Sequence, residues 1–289
     1  AGVGAVVAER RSGEGLAEAG RAGFAQVLAG HLDALGAADN LPIVICGMAG
    51  SRQGWVEARY LDVPARLEAI VESAVTVPTP KRRIVILPGL AQRDPAHADV
   101  MRGEETQLLG ASALSRGGAD GLYCMPGTHS KWVTIEAGRV TGFSTFMTGE
   151  IFAIVSRQSI LAHALGPGDV DAGDPAFAGA VLDMRRDPAA LTNRLFSIRG
   201  SQLLFSESTA TAKARLSGFL IGAELAGCGL DGDAPVTLIA SGKLRPLYEK
   251  ALAVAGVAVQ TVDADAAVRN GLTLAASALG MIEKGRLRA

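Results

Sequence analysis

The stretch VMRGEETQLLGASALSRGGADGLYCMPGTHSKWVTIEAGRVTGFSTFMTGE, residues 100–150, combines a helix start, two strands and a tight turn. Glu104 and Glu105 precede apolar residues at positions 108, 109, 111 and 114, a spacing that predicts a helix with both carboxylates in its first turn. Residues 121–126 and 130–135 are β-biased runs, and the Gly127-Thr128-His129 turn between them offers backbone N–H groups that can hold a phosphate. A carboxylate that takes a proton from a hydroxyl, together with such a turn, suits phosphoryl transfer.

Outside this stretch, buried strands alternate with helices. Apolar runs at residues 42–46 (PIVIC), 84–87 (IVIL) and 236–240 (VTLIA) predict strands that are covered on both faces, and helical spacing predicts helices at 16–35, 213–228, 244–255 and 266–281. Residues 121–147 predict an antiparallel meander, whereas residues 236–281 predict a βαβα unit with parallel pairing. We expect residues 5–8 to end an opening strand, and the polar loop at 92–99 to cross into the second half of the chain. The fold class is α/β.

Composition excludes several functional classes. The chain has 289 residues, a net charge of −1 and interspersed charges, which argues against nucleic acid or an anionic membrane as a partner. No apolar run approaches the roughly 20 residues of a membrane span. Cys46, Cys124 and Cys228 are far apart, which predicts buried free thiols and a cytoplasmic location. The four histidines lack ligand spacing, so we predict no metal-ligating residues, and neither a Walker A motif nor GxGxxG is present.

Three features of the sequence can be interpreted either as structural or as functional. The glycine-rich loop at residues 47–55 follows a buried strand, where open α/β sheets bind ligands, but its glycine content alone favours a simple tight loop. Ser241-Gly242, between a strand and a helix, could hold a nucleotide, although this signal is weak by itself. Glu224 lies within the apolar stripe of a helix, where a hydrogen-bonded buried carboxylate is favoured over a catalytic one.

Five segments together resemble the 2-dehydro-3-deoxygalactonokinase family, within the sugar kinase/Hsp70/actin superfamily. They are GMAGSRQGW (47–55), LPGL (87–90), DVMRGEETQLLGA (99–111), MPGTHSKWV (125–133) and FMTGE (146–150). The resemblance implies two RNase H-like α/β domains that close on a cleft holding Mg²⁺ and ATP. It divides the chain into a sugar-acid-binding domain at residues 1–98 and a nucleotide-binding domain at residues 99–289. The implied reaction is phosphorylation of 2-dehydro-3-deoxy-D-galactonate on its terminal hydroxyl.

The resemblance also implies roles for individual residues. Glu104 takes the place of the general base, with Glu105 as the second candidate because one residue of register decides which carboxylate faces the cleft. The expected nucleotide contacts are Gly127, Thr128 and His129 in the hairpin and Ser241, Gly242 and Lys243 in the adenosine turn. The expected sugar-acid contacts are Gly50, Ser51, Trp55 and Arg102, with Arg102 suited to bidentate pairing with the carboxylate.

The sequence departs from the superfamily pattern at one point, and two alternative functions stay open. Kinases of this superfamily open with a strand and hairpin of the form Asp-x-Gly-Thr-Thr, which orients Mg²⁺ and binds phosphate. This sequence begins after that segment, so we expect the chain as given to be a poor catalyst. The alternatives are a kinase for a related acid sugar such as 2-dehydro-3-deoxygluconate, and a protein that binds nucleotide or sugar acid without turnover. The predicted partners are the sugar acid and ATP, and a homodimer is a possible assembly.

Overall fold

The computed structural model describes residues 6–80, 82–114, 119–230 and 235–282. The chain forms two compact units, each of which is described separately. Unit 1 comprises residues 1–120, 136–142 and 264–289, and unit 2 comprises residues 121–135 and 143–263.

Short strands and helices alternate through the first part of unit 1. In chain order they are α1 (Leu16–Ala22), α2 (Phe24–Ala34), β1 (Ile43–Ile45), a 3₁₀ turn (Met48–Gly50), β2 (Leu61–Asp62), β3 (Ala65–Arg66), α3 (Leu67–Glu72), β4 (Val75–Val77), β5 (Ile84–Ile86), β6 (Leu90–Gln92), β7 (Asp99–Met101) and α4 (Glu104–Leu114). One sheet has the order β1-β5-β4, and another has the order β2-β6-β7. Both are mixed, because β5 pairs parallel to β1 and antiparallel to β4, and β6 pairs parallel to β2 and antiparallel to β7.

Unit 2 is built on one larger mixed sheet flanked by helices. Its elements are β8 (Gly121–Met125), β9 (Ser130–Glu136), β10 (Arg139–Phe146), α5 (Thr148–Gln158), α6 (Pro175–Arg186), α7 (Leu191–Phe205), α8 (Thr209–Gly227), β11 (Val236–Ile239), α9 (Leu244–Val254) and β12 (Val259–Val262). The strand order is β12-β11-β8-β9-β10, with β11 parallel to β12 and β8, and with β8 antiparallel to β9. The first residues of β10 lie in unit 1, where Arg139 and Val140 pair with β3.

The predicted α/β class, the buried strands at residues 84–87 and 236–240 and the parallel pairing near the C-terminus are confirmed, whereas the strand predicted as buried at residues 42–46 is half-buried in β1. The single helix predicted at residues 16–35 is wrong, because Gly23, at a φ of 92°, separates α1 from α2. The strand predicted at residues 5–8 is also wrong for its described part, since residues 6–8 carry no strand. The loop at residues 92–99 connects β6 to the antiparallel β7 and is therefore a hairpin loop.

The last helix, α10 (Ala264–Ala278), returns to unit 1 and packs on α4. The two helices approach through glycine. A Cβ on Gly110 would lie 1.9 Å from the carbonyl oxygen of Ala267, and one on Gly271 would lie 2.0 Å from the carbonyl oxygen of Thr106. Residues 99–120 and 136–142 also belong to unit 1, and the domain division predicted at residues 98 and 99 stays a prediction. The functional roles predicted for the two domains stay predictions.

We expect Gly110→Ala to lower the free energy of unfolding by about 1–3 kcal/mol, because backbone must move to admit the methyl group. Urea denaturation checks this value. Gly30→Ala is the matched control, since Gly30 lies inside α2 with no atom within 4 Å of its Cβ position. The control substitution should stabilise by about 0.5–1 kcal/mol through helix propensity. Equal urea midpoints for Gly110→Ala and Gly30→Ala would show that the α4–α10 contact is looser than described.

Candidate active site

Two loops of unit 1 meet where β1 and β7 end. Gly47 follows β1 with a φ of 85°, and Gly103 follows β7 with a φ of 115°. A Cβ on Gly103 would lie 3.4 Å from the Cα of Gly47, so the loops touch at glycine. Both positions require a conformation that side chains disfavour. The glycines therefore bring the loop at residues 47–55 beside the start of α4.

The two predicted catalytic carboxylates lie in the first turn of α4, but they have different environments. Glu104 is half-buried, and its Oε2 accepts a hydrogen bond from the backbone N–H of Arg102 at 3.0 Å. Glu105 is fully buried, and its Oε2 accepts from the N–H of Gly103 at 2.7 Å. The hydroxyl of Thr106 donates to the other oxygen of Glu105 at 3.2 Å. Only Glu104 is therefore open to a ligand in this conformation.

Burial raises the pKa of Glu105 from its ordinary 4.5 to about 8, against the opposing effect of its backbone hydrogen bonds. The neighbouring Cys46 thiol also has its pKa raised, to about 11, first by burial and then by the charge of Glu105. Glu105 is thus protonated at neutral pH, and it holds the Gly103 turn as a neutral group.

This raised pKa predicts a pH-dependent stability. Between about pH 5 and pH 8 folded Glu105 keeps a proton that the unfolded chain has released, so its contribution to stability falls as pH rises. Glu105→Gln resembles the protonated acid at every pH. We therefore expect the melting temperature of Glu105→Gln, relative to wild type, to rise across that range. Glu68→Gln removes an exposed carboxylate of α3 as a control, and a parallel trend in both variants would contradict the assignment.

Arg102 follows β7, and among the described residues no carboxylate forms an ion pair with its guanidinium. Its Cζ lies 4.2 Å from the ring centroid of Tyr60, a cation–π contact. The Tyr60 ring is in turn confined by Gly89, whose Cβ position lies 2.8 Å from it. The Nε and Nη1 atoms of Arg102 are buried without a hydrogen-bond partner. Such groups cost free energy when unpaired, so they indicate a missing acceptor.

The structure brings Gly50, another of the predicted sugar-acid residues, to this guanidinium. A Cβ on Gly50 would lie 3.0 Å from Nη1 of Arg102, so glycine is needed for the close approach. The adjacent Ser51 is 6% exposed, and its hydroxyl also lacks a partner. Trp55 instead stacks on Phe24, with ring centroids 6.2 Å apart, within an apolar cluster. That placement supports a packing role, and direct sugar contact by Trp55 stays a prediction.

Unit 2 contains a cavity of about 330 Å³ beside the hairpin between β8 and β9. Three of the predicted nucleotide residues line it: Gly127, Thr128 and Lys243. Its walls also carry apolar side chains suited to a flat ring, namely Phe152, Val170, Leu220, Ile221, Leu244 and Leu247. The cavity therefore combines a turn that can hold phosphate with an apolar surface.

The N-terminus of α5 lies against the hairpin turn. A Cβ on Gly149 would lie 2.4 Å from the carbonyl oxygen of Gly127, and the N–H of Glu150 donates to the carbonyl of Thr128 at 2.9 Å. The side chain of Glu150 contacts Nε2 of His129 at 2.5 Å. The positive end of the α5 dipole thus faces the same turn, which favours a bound anion.

The remaining predicted nucleotide residues surround the cavity less directly. His129, Ser241 and Gly242 are outside its described lining. Ser241 donates to Asp263 at 2.8 Å, and Gly242 has a φ of 59°. Lys243 forms an ion pair with Asp169 at 2.6 Å, and Asp169 also lines the cavity. Their contact with a nucleotide stays a prediction.

Sequence reasoning missed several lining residues. Thr148 and Gly149 belong to the FMTGE segment, which supported the resemblance but received no role. Lys213 donates to the carbonyls of Gly166 and Gly168, which shapes a wall of the cavity. Tyr248 is buried in α9, and no local motif marks it.

Three general features of the chain bear on its function. Among the described residues, no group of three or more His, Cys, Asp or Glu side chains could hold a metal ion. No described helix is both long and apolar enough to cross a membrane. The three cysteines are free thiols.

Comparison with known proteins identifies the family. A family model described as 2-keto-3-deoxy-galactonokinase matches residues 1–275. A Rhizobium meliloti (strain 1021) protein named "Probable 2-dehydro-3-deoxygalactonokinase DgoK1" is 54% identical over 282 residues, covering 96% of this chain and 91% of its own. The 2-dehydro-3-deoxygalactonokinase of Escherichia coli (strain K12) is 36% identical over 243 residues, covering 83% and 80%.

A solved structure supports the same family. The "Crystal structure of a putative 2-dehydro-3-deoxygalactonokinase protein from Sinorhizobium meliloti" superposes with a TM-score of 0.91 at 54% identity, covering 95% of this chain and 92% of that one. The resemblance noted in the sequence is confirmed. The chain belongs to the 2-keto-3-deoxy-galactonokinase family.

Proposed function

We propose that the protein is a carbohydrate kinase that transfers the γ-phosphoryl group of ATP to the terminal hydroxyl of 2-dehydro-3-deoxy-D-galactonate, giving the 6-phosphate. The observation that carries the choice of an acid substrate is the guanidinium of Arg102, whose buried Nε and Nη1 atoms have no hydrogen-bond partner among the described residues. A carboxylate would pair bidentately along one edge of the guanidinium, where Nη2 lies beside either Nε or Nη1, and would satisfy the unpartnered atom on that edge. The family supports the reaction type.

Each residue of the unit 1 site has a distinct part in this proposal. Arg102 and Ser51 bind the carboxylate, while Tyr60 holds the guanidinium plane. Glu104 accepts the proton of the attacking hydroxyl, and its bond to the N–H of Arg102 leaves one oxygen available. Glu105, fully buried, holds the Gly103 turn that carries both groups.

Unit 2 supplies the nucleotide site. The cavity walls take the adenine and ribose, and the Thr128 turn with the start of α5 binds phosphate oxygens through backbone N–H groups. Mg²⁺ enters as the MgATP substrate, since phosphate oxygens and one or two carboxylates suffice to hold this ion. Asp169 is a carboxylate in the cavity lining that suits this task.

The family resemblance adds the larger arrangement. We infer two RNase H-like domains that close on the bound acid and ATP, which would exclude water that otherwise hydrolyses ATP. A cytoplasmic location is consistent with the free thiols, and a homodimer stays a prediction.

A coupled ADP-release assay on the full-length protein tests the function. The panel contains 2-dehydro-3-deoxy-D-galactonate, its gluconate epimer, and neutral hexoses as controls. We expect the highest kcat/KM with the galactonate-derived acid. Faster turnover of the epimer would reassign the substrate, and nucleotide binding without turnover of any acid would favour the non-catalytic alternative.

A further inference from the structure

Glu224 of α8 joins four elements around the unit 2 cavity. It is 1% exposed, and its Oε1 accepts a hydrogen bond from Nε1 of Trp132 at 2.8 Å. Its Oε2 accepts from the hydroxyl of Tyr248 at 2.7 Å and also from the hydroxyl of Thr148. Because Tyr248 uses its proton on Glu224, the hydroxyl of Ser130 donates to Tyr248, at 2.8 Å. Both oxygens of the carboxylate therefore accept hydrogen bonds, and neither is unsatisfied.

Each donor belongs to a different secondary-structure element of unit 2. Thr148 is the first residue of α5, and Tyr248 lies on α9; both line the cavity. Trp132 lies on β9, directly after the hairpin turn. Through Thr148 the carboxylate fixes the start of α5, and Gly149 and Glu150 in turn contact Gly127 and Thr128. Glu224 thus connects to the phosphate-binding turn from both of its sides.

Fold stability alone explains this arrangement poorly. A buried ionisable group is costly to desolvate, and well-packed apolar residues in its place are often neutral or stabilising. Burial accordingly raises the pKa of Glu224, although its hydrogen bonds oppose the shift. A carboxylate at this position instead gives directional contacts, which fix hydroxyl and indole positions more closely than apolar packing does.

We propose that Glu224 is a positioning residue for the nucleotide cavity, holding Thr148, Tyr248 and the Trp132 strand in the arrangement that binds ATP. This inference rests on the proposed assignment of the cavity to ATP. Glu224 itself is behind the lining residues, so its effect on the nucleotide is indirect.

Glu224→Gln tests the proposal, because the amide keeps the shape but presents an N–H₂ group to at least one donor. We expect the KM for ATP and the Kd for ADP, measured by calorimetry, to rise roughly tenfold, with the KM for the sugar acid within about twofold of wild type. Glu207→Gln is the matched control. Glu207 is a partly buried carboxylate of the same unit that pairs with Arg215 at 2.9 Å, and its loss should lower the melting temperature and leave the KM for ATP unchanged.

Tyr248→Phe tests the same proposal if Glu224→Gln fails to fold, since it removes one donor and keeps the ring. It should raise the KM for ATP by about threefold to tenfold and leave the KM for the acid unchanged. Folded variants whose nucleotide constants match wild type would overturn the role of Glu224 and leave the cavity assignment standing. A wild-type protein that turns over no acid and binds no ADP would overturn the cavity assignment and this inference with it.

Discussion

Glu104→Gln should lower kcat by roughly 100-fold or more, with the KM values for ATP and the sugar acid little changed. The amide cannot accept the hydroxyl proton, but its oxygen can still accept the N–H of Arg102 that now binds Glu104 at 3.0 Å. The geometry of the loop is therefore retained and only the proton acceptor is lost. Single-turnover measurements would separate the chemical step from product release.

Glu105→Gln is the matched comparison, one residue along the same helical turn. Glu105 is fully buried and neutral at neutral pH, so its amide should replace it with a smaller loss of kcat. The substitution that causes the greater loss of kcat identifies the general base. A greater loss in Glu105→Gln would assign the proton transfer to Glu105 and require α4 to move on substrate binding, whereas equal and small losses would exclude both.

This pair also shows what local sequence can and cannot predict. The spacing of apolar residues after Glu104 places both carboxylates in the first turn of α4, as the structure confirms. Consecutive residues on a helix point about 100° apart, so one of them must face the core. Which one does so depends on Gly103, Cys46 and the distant strand that leads to residues 47–55. That information is tertiary and is absent from the spacing.

The residues around the nucleotide cavity also fall into two groups, those that local sequence predicts and those that it does not. The turn at Gly127 and Thr128 is local, because a glycine between two β-biased runs predicts a hairpin, and both residues line the cavity. Tyr248, Asp169 and Glu224 come from three separate segments and meet only after the sheet and its helices pack. The sequence marked Glu224 as a buried carboxylate, but its three donors could not be inferred from helical periodicity.

Arg102→Lys should raise the KM for the sugar acid by roughly 10- to 100-fold while kcat changes less and the KM for ATP stays unchanged. Lysine keeps the positive charge, but it lacks the planar fork that pairs two N–H groups along one edge of the guanidinium with a carboxylate, and it stacks less well on Tyr60. The substitution therefore separates bidentate recognition from simple charge. Steady-state kinetics with each substrate varied in turn would measure the effect.

A second substrate, the neutral amide of the same sugar acid, makes this test specific for the carboxylate. If Arg102 binds the carboxylate, wild type should favour the acid over the amide, and Arg102→Lys should reduce that preference because the lost interaction exists only with the acid. Arg93→Lys provides the control, since Arg93 is exposed and pairs with Asp62 at 2.6 Å on the surface of unit 1. An unchanged preference in Arg102→Lys would place the carboxylate elsewhere, and the unpaired guanidinium would then require another acceptor.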